Sequence, residues 1–324
     1  MQFTIRNPLS EDWYADPEAR FYQGKYVIYV THSLPFEQQH NHSCFVSEDL
    51  THWELHKNII DMSGFPHVKG AVWAPTMEEV NGKFYYVFAT NDIPHMSEVG
   101  GLEIAVSDSP IGPFKALLDH PLIGEFHNGA QPIDAHLFKD DDGTVYLYYG
   151  GWGHCNICRM NRDMTGFAPF DDGVTFREIT PPDYVEAPCM LKRNGIYYFM
   201  WSAGNWTDGT YRVNYCTSDR PWGPFSRATT ILSTGDSQIA CGPGHHGYLY
   251  LPEDDQYLIV YHRHKPSVPV SDARFLCIDR MEFDQDGHII PVTMTSEWSY
   301  QTESTQSERS QLCPSPSPTS RIPC

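Results

Sequence analysis

Basic residues are scarce in this chain. Lysine and arginine number 22 against 41 aspartates and glutamates in 324 residues, a formal net charge of −19 at pH 7, and this argues against nucleic acid or an anionic membrane as partner. Long apolar runs are missing too. No stretch approaches the roughly eighteen residues of a membrane-spanning helix, and the opening MQFTIRNPLS lacks the basic start and apolar core of a secretion signal. The chain as written is therefore expected in the cytoplasm; an incomplete N-terminus would make the same sequence compatible with secretion. Nine cysteines, an odd count thinly spread, do not make a disulfide framework. Cys155-Asn-Ile-Cys158 falls in a strand-like run, where positions three apart face opposite sides, so buried thiols are expected there and not a zinc or redox pair. Helical spacing of three and four is also absent from the apolar pattern, which excludes a helical solenoid.

What is present is a repeat. At a spacing of roughly sixty residues the chain returns to a short opener: YADPEA with Asp16, VWAPTM with Trp73, PIDAHL with Asp134, VEAPCM with Glu186 and GPGHHG with His245. Each opener leads into a run rich in Tyr, Phe, Val and Trp, namely KYVIYVTHS, KFYYVFATND, TVYLYYGGW, IYYFMWSAG and QYLIVYHRH. Before these runs stand Gln23-Gly24, Asn81-Gly82, Asp142-Gly143, Asn194-Gly195 and Asp254-Asp255, the chemistry of tight hairpin turns. A third strand follows in each unit, and IGPFKAL and PWGPFSR are nearly one phrase used twice. Such units predict an all-β, five-bladed β-propeller. The Gly-His and Trp-Asp pairs of a WD-type interaction scaffold do not recur. Residues 1–296 are assigned to the propeller as a catalytic domain, and 297–324 to a disordered low-complexity tail with little apolar content.

In a propeller the innermost strands face a common axis, so Asp16, Asp134 and Glu186 need no proximity in sequence to share a pocket. Each has small or apolar neighbours, an unusual setting for a carboxylate without a task. Two carboxyl groups across a cleft are the equipment of glycoside hydrolysis, one ionised to activate water and one protonated to serve the leaving oxygen. A third would hold the acid protonated by like-charge repulsion. By contrast Asp140, Asp141 and Asp142 sit in a hairpin turn and are expected to be solvated.

The openers ADP, WAP, IDAHLF, EAP and GPGHH, in this order, resemble glycoside hydrolase family 43, the five-bladed β-xylosidases and α-L-arabinofuranosidases. The resemblance implies Asp16 as general base, Glu186 as general acid, and Asp134 as the residue that tunes the acid and orients the sugar, with inversion at the anomeric carbon. NDIPHMSEVGGLEIAV, FHNGAQPIDAHLF, YGGWGHCNI and ITPPDYVEAP look most like a metal-dependent β-xylosidase branch, which implies a divalent cation, calcium by preference, at His245. Trp73 is expected as a platform for the sugar, Arg274 as a forked donor to its hydroxyls, and Phe36, His32 and His127 as pocket wall; His246 is expected to pack. The implied activity is an exo-acting β-xylosidase on xylo-oligosaccharides, with an α-L-arabinofuranosidase and a non-catalytic carbohydrate-binding propeller as alternatives. The partner is then a small oligosaccharide, and assembly into a homo-oligomer is left open.

Overall fold

A computed structural model describes residues 2–90 and 99–301. Among them the only helical elements are two short 3-10 turns, Phe36–Gln38 and Met62–Gly64, and no helix is long and apolar enough to cross a membrane. The strands form five antiparallel sheets in chain order, of four, four, five, four and three strands, plus one two-stranded pair. Their first strands, Tyr14–Tyr22, Trp73–Val80, His136–Lys139, Glu186–Arg193 and Cys241–Leu251, touch one another in a closed ring, the last against the first. The chain is thus a five-bladed propeller.

Local sequence explains the hairpins. At Gln23-Gly24, Asn81-Gly82 and Asn194-Gly195 both turn residues have positive φ, between 52° and 80°, and two residues join the paired strands. This is the primed turn whose twist matches the flanking strands. The Asp-Gly and Asp-Asp sites differ. Lys139 pairs with Val145 across the loop 140–144, and Leu251 with Gln256 across 252–255. In the former, Asp140 is not solvated: it accepts from Lys192 Nζ at 2.5 Å and Tyr197 Oη at 2.6 Å, tying blade three to blade four.

Alternation along each second strand then divides the core. Val27 and Tyr29 pack toward blade two while Ile28 and Val30 pack toward blade five, as the two-residue period of a strand requires. The result is five apolar layers, one between each pair of adjacent blades. Blade edges are pinned in a repeated way: Tyr29 donates to the Pro110 carbonyl at 2.5 Å and Tyr148 to that of Pro221 at 2.8 Å, where the two Gly-Pro-Phe phrases begin.

The ring closes at its termini. Gln2–Arg6 pairs antiparallel with Glu297–Gln301, and Phe3 and Ile5 enter the layer between blades five and one. Asn7 Nδ2 donates to Ile278 O and its Oδ1 accepts from Ile278 N, at 2.9 and 2.8 Å. The strand Glu297–Gln301 corrects the expectation of a tail from residue 297, because Trp298 and Tyr300 pack on Phe3 with ring centroids at 5.5 and 5.2 Å. Residues 302–324 lie outside the described residues, as does 91–98 of the phrase NDIPHMSEVGGLEIAV. Cys155 and Cys158 are buried and unpaired, and burial pushes both thiols well up.

Candidate active site

The openers share one backbone device. In blades one, two, four and five the ladder between first and second strands slips at the opener, between Ala15 and Glu18, Trp73 and Thr76, Glu186 and Cys189, and Gly244 and Gly247. A non-glycine residue there takes positive φ: Asp16 52°, Ala74 42°, Ala187 57° and His245 37°, with Asp134 at 52° in blade three. Left-handed backbone at a side chain other than glycine costs of the order of 1–3 kcal/mol and clusters where function fixes geometry. A bulge re-aims a side chain without unpairing the strand. In blades one, three and five the positive-φ residue itself lines the pocket; in blades two and four the residue just before it, Trp73 or Glu186, does.

These side chains meet in a pocket of about 400 Å³ on the propeller axis, which holds Asp16, Asp134, Glu186, Trp73, Arg274 and His245. Asp16 Oδ1 accepts from Arg274 Nη1 at 2.8 Å and lies 3.3 Å from His245 Nδ1. That same nitrogen stands 3.5 Å from Asp134 Oδ2, which also accepts from Ala187 N at 3.1 Å. Glu186 Oε1 accepts from Tyr211 Oη at 2.8 Å. The carboxyls therefore differ in surroundings. Burial raises the Asp16 carboxyl, but Arg274 and then His245 overcome it and hold the group below its ordinary value. Glu186 is pushed up, chiefly by burial, with the negative charge of Asp16 adding and the Tyr211 hydrogen bond opposing. Asp134 is pushed well up by burial, then by Glu186 and Asp16. Burial, and not repulsion as the sequence suggested, is thus the leading cause of the upward shift at Glu186.

Phe36 and Trp73 stand together on one wall, ring centroids 5.1 Å apart. Arg274 is tied more tightly than a free sugar donor would be: besides Asp16 it donates to Ser33 Oγ at 2.9 Å, and its guanidinium lies 5.1 Å from the Trp206 ring. His32 and His127 are not in the pocket wall. His32 stacks on Tyr14, 5.2 Å between centroids, and His127 on Phe176 at 3.5 Å. His246 is buried, with neither ring nitrogen hydrogen-bonded. Two residues without sequence signal belong to the site: Tyr211, and His262, whose Nδ1 accepts from Asp16 N at 3.3 Å. Tyr211 stands just before the strand Arg212–Ser218 and His262 lies in the aromatic- and histidine-rich strand Gln256–His264, so nothing in the sequence marks either as facing the site.

A hard cation finds a limited donor set here. Burial lowers the His245 imidazole from its usual range, and Nδ1 faces the Asp16 and Asp134 carboxyls, which leaves Nε2 as the ring atom able to ligate. One imidazole with water completing the shell is compatible with calcium. Among the described residues the one grouping of three ligand-type side chains is elsewhere, at Asp284, Asp286 and His288 on the surface. There Asp284 Oδ1 accepts from the backbone N–H groups of Asp286 and His288, at 2.9 and 2.8 Å, an ordinary turn.

Known proteins share this architecture. The chain is 38% identical over 302 residues to the beta-D-galactofuranosidase xynD of Aspergillus niger, covering 90% of this chain and 86% of that protein. It is 27% identical over 331 residues to a beta-xylosidase of Xylanibacter ruminicola, covering 86% and 96%. A GH43 beta-xylosidase/alpha-arabinofuranosidase from a compost metagenome, solved with xylotriose in a calcium-free form, matches with a TM-score of 0.71 at 25% identity over 88% of this chain and 96% of that one. The profile of Glycosyl hydrolases family 43 matches residues 5–289, and the chain belongs to that family of glycoside hydrolases.

Proposed function

We propose that the protein is an inverting, exo-acting glycosidase that removes one sugar from a non-reducing end by a single displacement, with terminal β-xylosyl units as its first substrate. The observation that carries this reading is the opposed setting of two carboxyls in one pocket: Arg274 beside Asp16 holds that group below its ordinary value, and burial pushes Glu186 above its own. Environments that push two titratable groups apart assign base and acid. Asp16 takes a proton from water as the water attacks the anomeric carbon, while Glu186 passes its proton to the departing oxygen. Asp134, fixed by Ala187 N, is placed to hydrogen-bond a sugar hydroxyl and shares the last proton of the pair with Glu186. Trp73 and Phe36 offer an apolar face to the ring. A divalent cation on His245 would add positive charge beneath the sugar.

A furanoside reading has its own support, since the relative at 38% identity is named a beta-D-galactofuranosidase while the relative named a beta-xylosidase stands at 27%. Aryl β-xylopyranoside, α-L-arabinofuranoside and β-D-galactofuranoside compared by kcat/KM decide between them. Asp16→Asn and Glu186→Gln should each lose about 10²–10⁴ in rate and stay folded. On aryl glycosides with good leaving groups Glu186→Gln should recover and Asp16→Asn should not; an equal response of both variants refutes the roles.

A further inference from the structure

We propose that Tyr211 is a positioning residue for the proton-donating carboxyl: it donates a hydrogen bond to Glu186 Oε1, so that the acid proton resides on Oε2 and the carboxylate left after transfer is stabilised. The inference rests on the assignment of Glu186 as acid. Its ground is geometry. Tyr211 is 1% exposed and its hydroxyl stands 2.8 Å from Oε1. Two glycines make the room: Gly244 for the ring itself and Gly204 for the backbone that carries it. A Cβ on Gly244, the glycine before His245 in the fifth opener, would lie 2.2 Å from the Tyr211 ring, and one on Gly204 would lie 2.1 Å from Thr210 O and 3.0 Å from Tyr211 N. The ring also stacks on the His262 imidazole, at 5.8 Å and 13°, that histidine accepts from the backbone of Asp16, and the hydroxyl has Ser202 as a second side-chain partner. A slot cut this closely holds a phenol in one direction, and the direction is toward the acid.

The other charged or titratable groups acting on Glu186 or close beside it are Asp16, Asp134, Arg274 and Tyr184. Tyr184 donates to Gly150 O at 2.6 Å and so does not substitute for Tyr211. Burial and the charge of Glu186 hold the Tyr211 phenol protonated well above its ordinary range, so it remains a donor wherever the enzyme is assayed. A hydrogen bond to the ionised form favours that form. Its removal makes Glu186 a weaker acid, and activity, which needs Glu186 protonated, then persists to higher pH.

The test is the pH dependence of kcat/KM in Tyr211→Phe, with thermal melting as the control for folding. The alkaline limb should move up by about one to two pH units. kcat should fall up to about tenfold on poor leaving groups and little on good ones, with KM unchanged. Site-specific 3-fluorotyrosine at 211, a stronger donor of nearly the same shape, should move the limb down, and this arm stands if Tyr211→Phe fails to fold. A folded Tyr211→Phe with an unmoved alkaline limb, or a fluorotyrosine enzyme whose limb stays or rises, overturns the proposal. Failure of the acid assignment looks different: Glu186→Gln would then turn over poor leaving groups at the wild-type rate.

Discussion

Arg274→Met should move the acid limb of the pH–rate profile. The guanidinium donates to Asp16 Oδ1 at 2.8 Å, which sets the charge centres roughly 4 Å apart, and at an effective dielectric near 20 that is worth about 4 kcal/mol. At 1.36 kcal/mol per pKa unit this bounds the effect at about three units, and arginine beside an aspartate typically accounts for one to three. The sign follows from the role of Asp16. As a base it must be ionised, Arg274 lowers its pKa, and without that charge Asp16 takes up a proton at higher pH. The acid limb of kcat/KM should therefore rise by about one to three units, while the alkaline limb changes less. Methionine keeps the length of the stem, and Ser33 Oγ retains its own donation to Asp272 O at 2.7 Å. His245 compensates only in part, because burial disfavours its charged form. The measurement is kcat/KM on one aryl glycoside from about pH 3 to 10. A folded variant whose acid limb stays where it was would show that Asp16 is not the titrating base or that Arg274 does not hold it ionised.

Asp134→Asn should shift the alkaline limb toward lower pH, since the last proton of the Asp134 and Glu186 pair is held partly by mutual repulsion; an unmoved limb in a folded variant leaves Asp134 only an orienting role. Glu18, buried between Arg20, Thr76 and His136, lies 2.9 Å from both Thr76 Oγ1 and His136 Nδ1. Glu18→Ala should cost about 3–5 kcal/mol, read as a lower Tm, and equal Tm values refute it. Burial raises Glu18 but Arg20 and His136 lower it net. That stability is present above the ordinary carboxylate range and is lost as pH falls through the depressed native value. Chelation should lower turnover without unfolding, added calcium should restore it, and His245→Ala should not respond to calcium; full activity after exhaustive chelation, with no divalent ion by elemental analysis, removes the cation from the scheme.

The blades were legible because a two-residue period bounded by polar turns is a local signal, and it was written five times, although only two of those turns are Asn-Gly. Asp16, Asp134, Glu186, Trp73 and His245 stood out for the same reason, since each occupies a matched place in its unit. Arg274 and Phe36 reached the pocket through the resemblance and not through any local pattern. His32 failed because it ends the second strand of blade one, where the direction of the side chain is set by its stacking on Tyr14. Tyr211 was illegible for a different reason: it precedes a third strand, and its approach to Glu186 depends on the space left by Gly204 and Gly244 in two blades. Asp140 shows the converse error, a turn aspartate captured by Lys192 and Tyr197 of the next blade.

The slipped ladder at the openers makes the pocket modular. Because each blade delivers its contribution through its own kink, a side chain can be exchanged in one blade while the other four keep their backbone. Blades two and four hold only alanine at the left-handed position, Ala74 and Ala187, so the ring has two seats that carry no chemistry. Ala74 lies one residue from the Trp73 platform and its N–H is already anchored to Thr31 Oγ1 at 2.8 Å. An asparagine or aspartate suits left-handed backbone better than alanine does. Substrate preference in such a frame can be rewritten by single exchanges, blade by blade, with the hydrolytic pair left untouched.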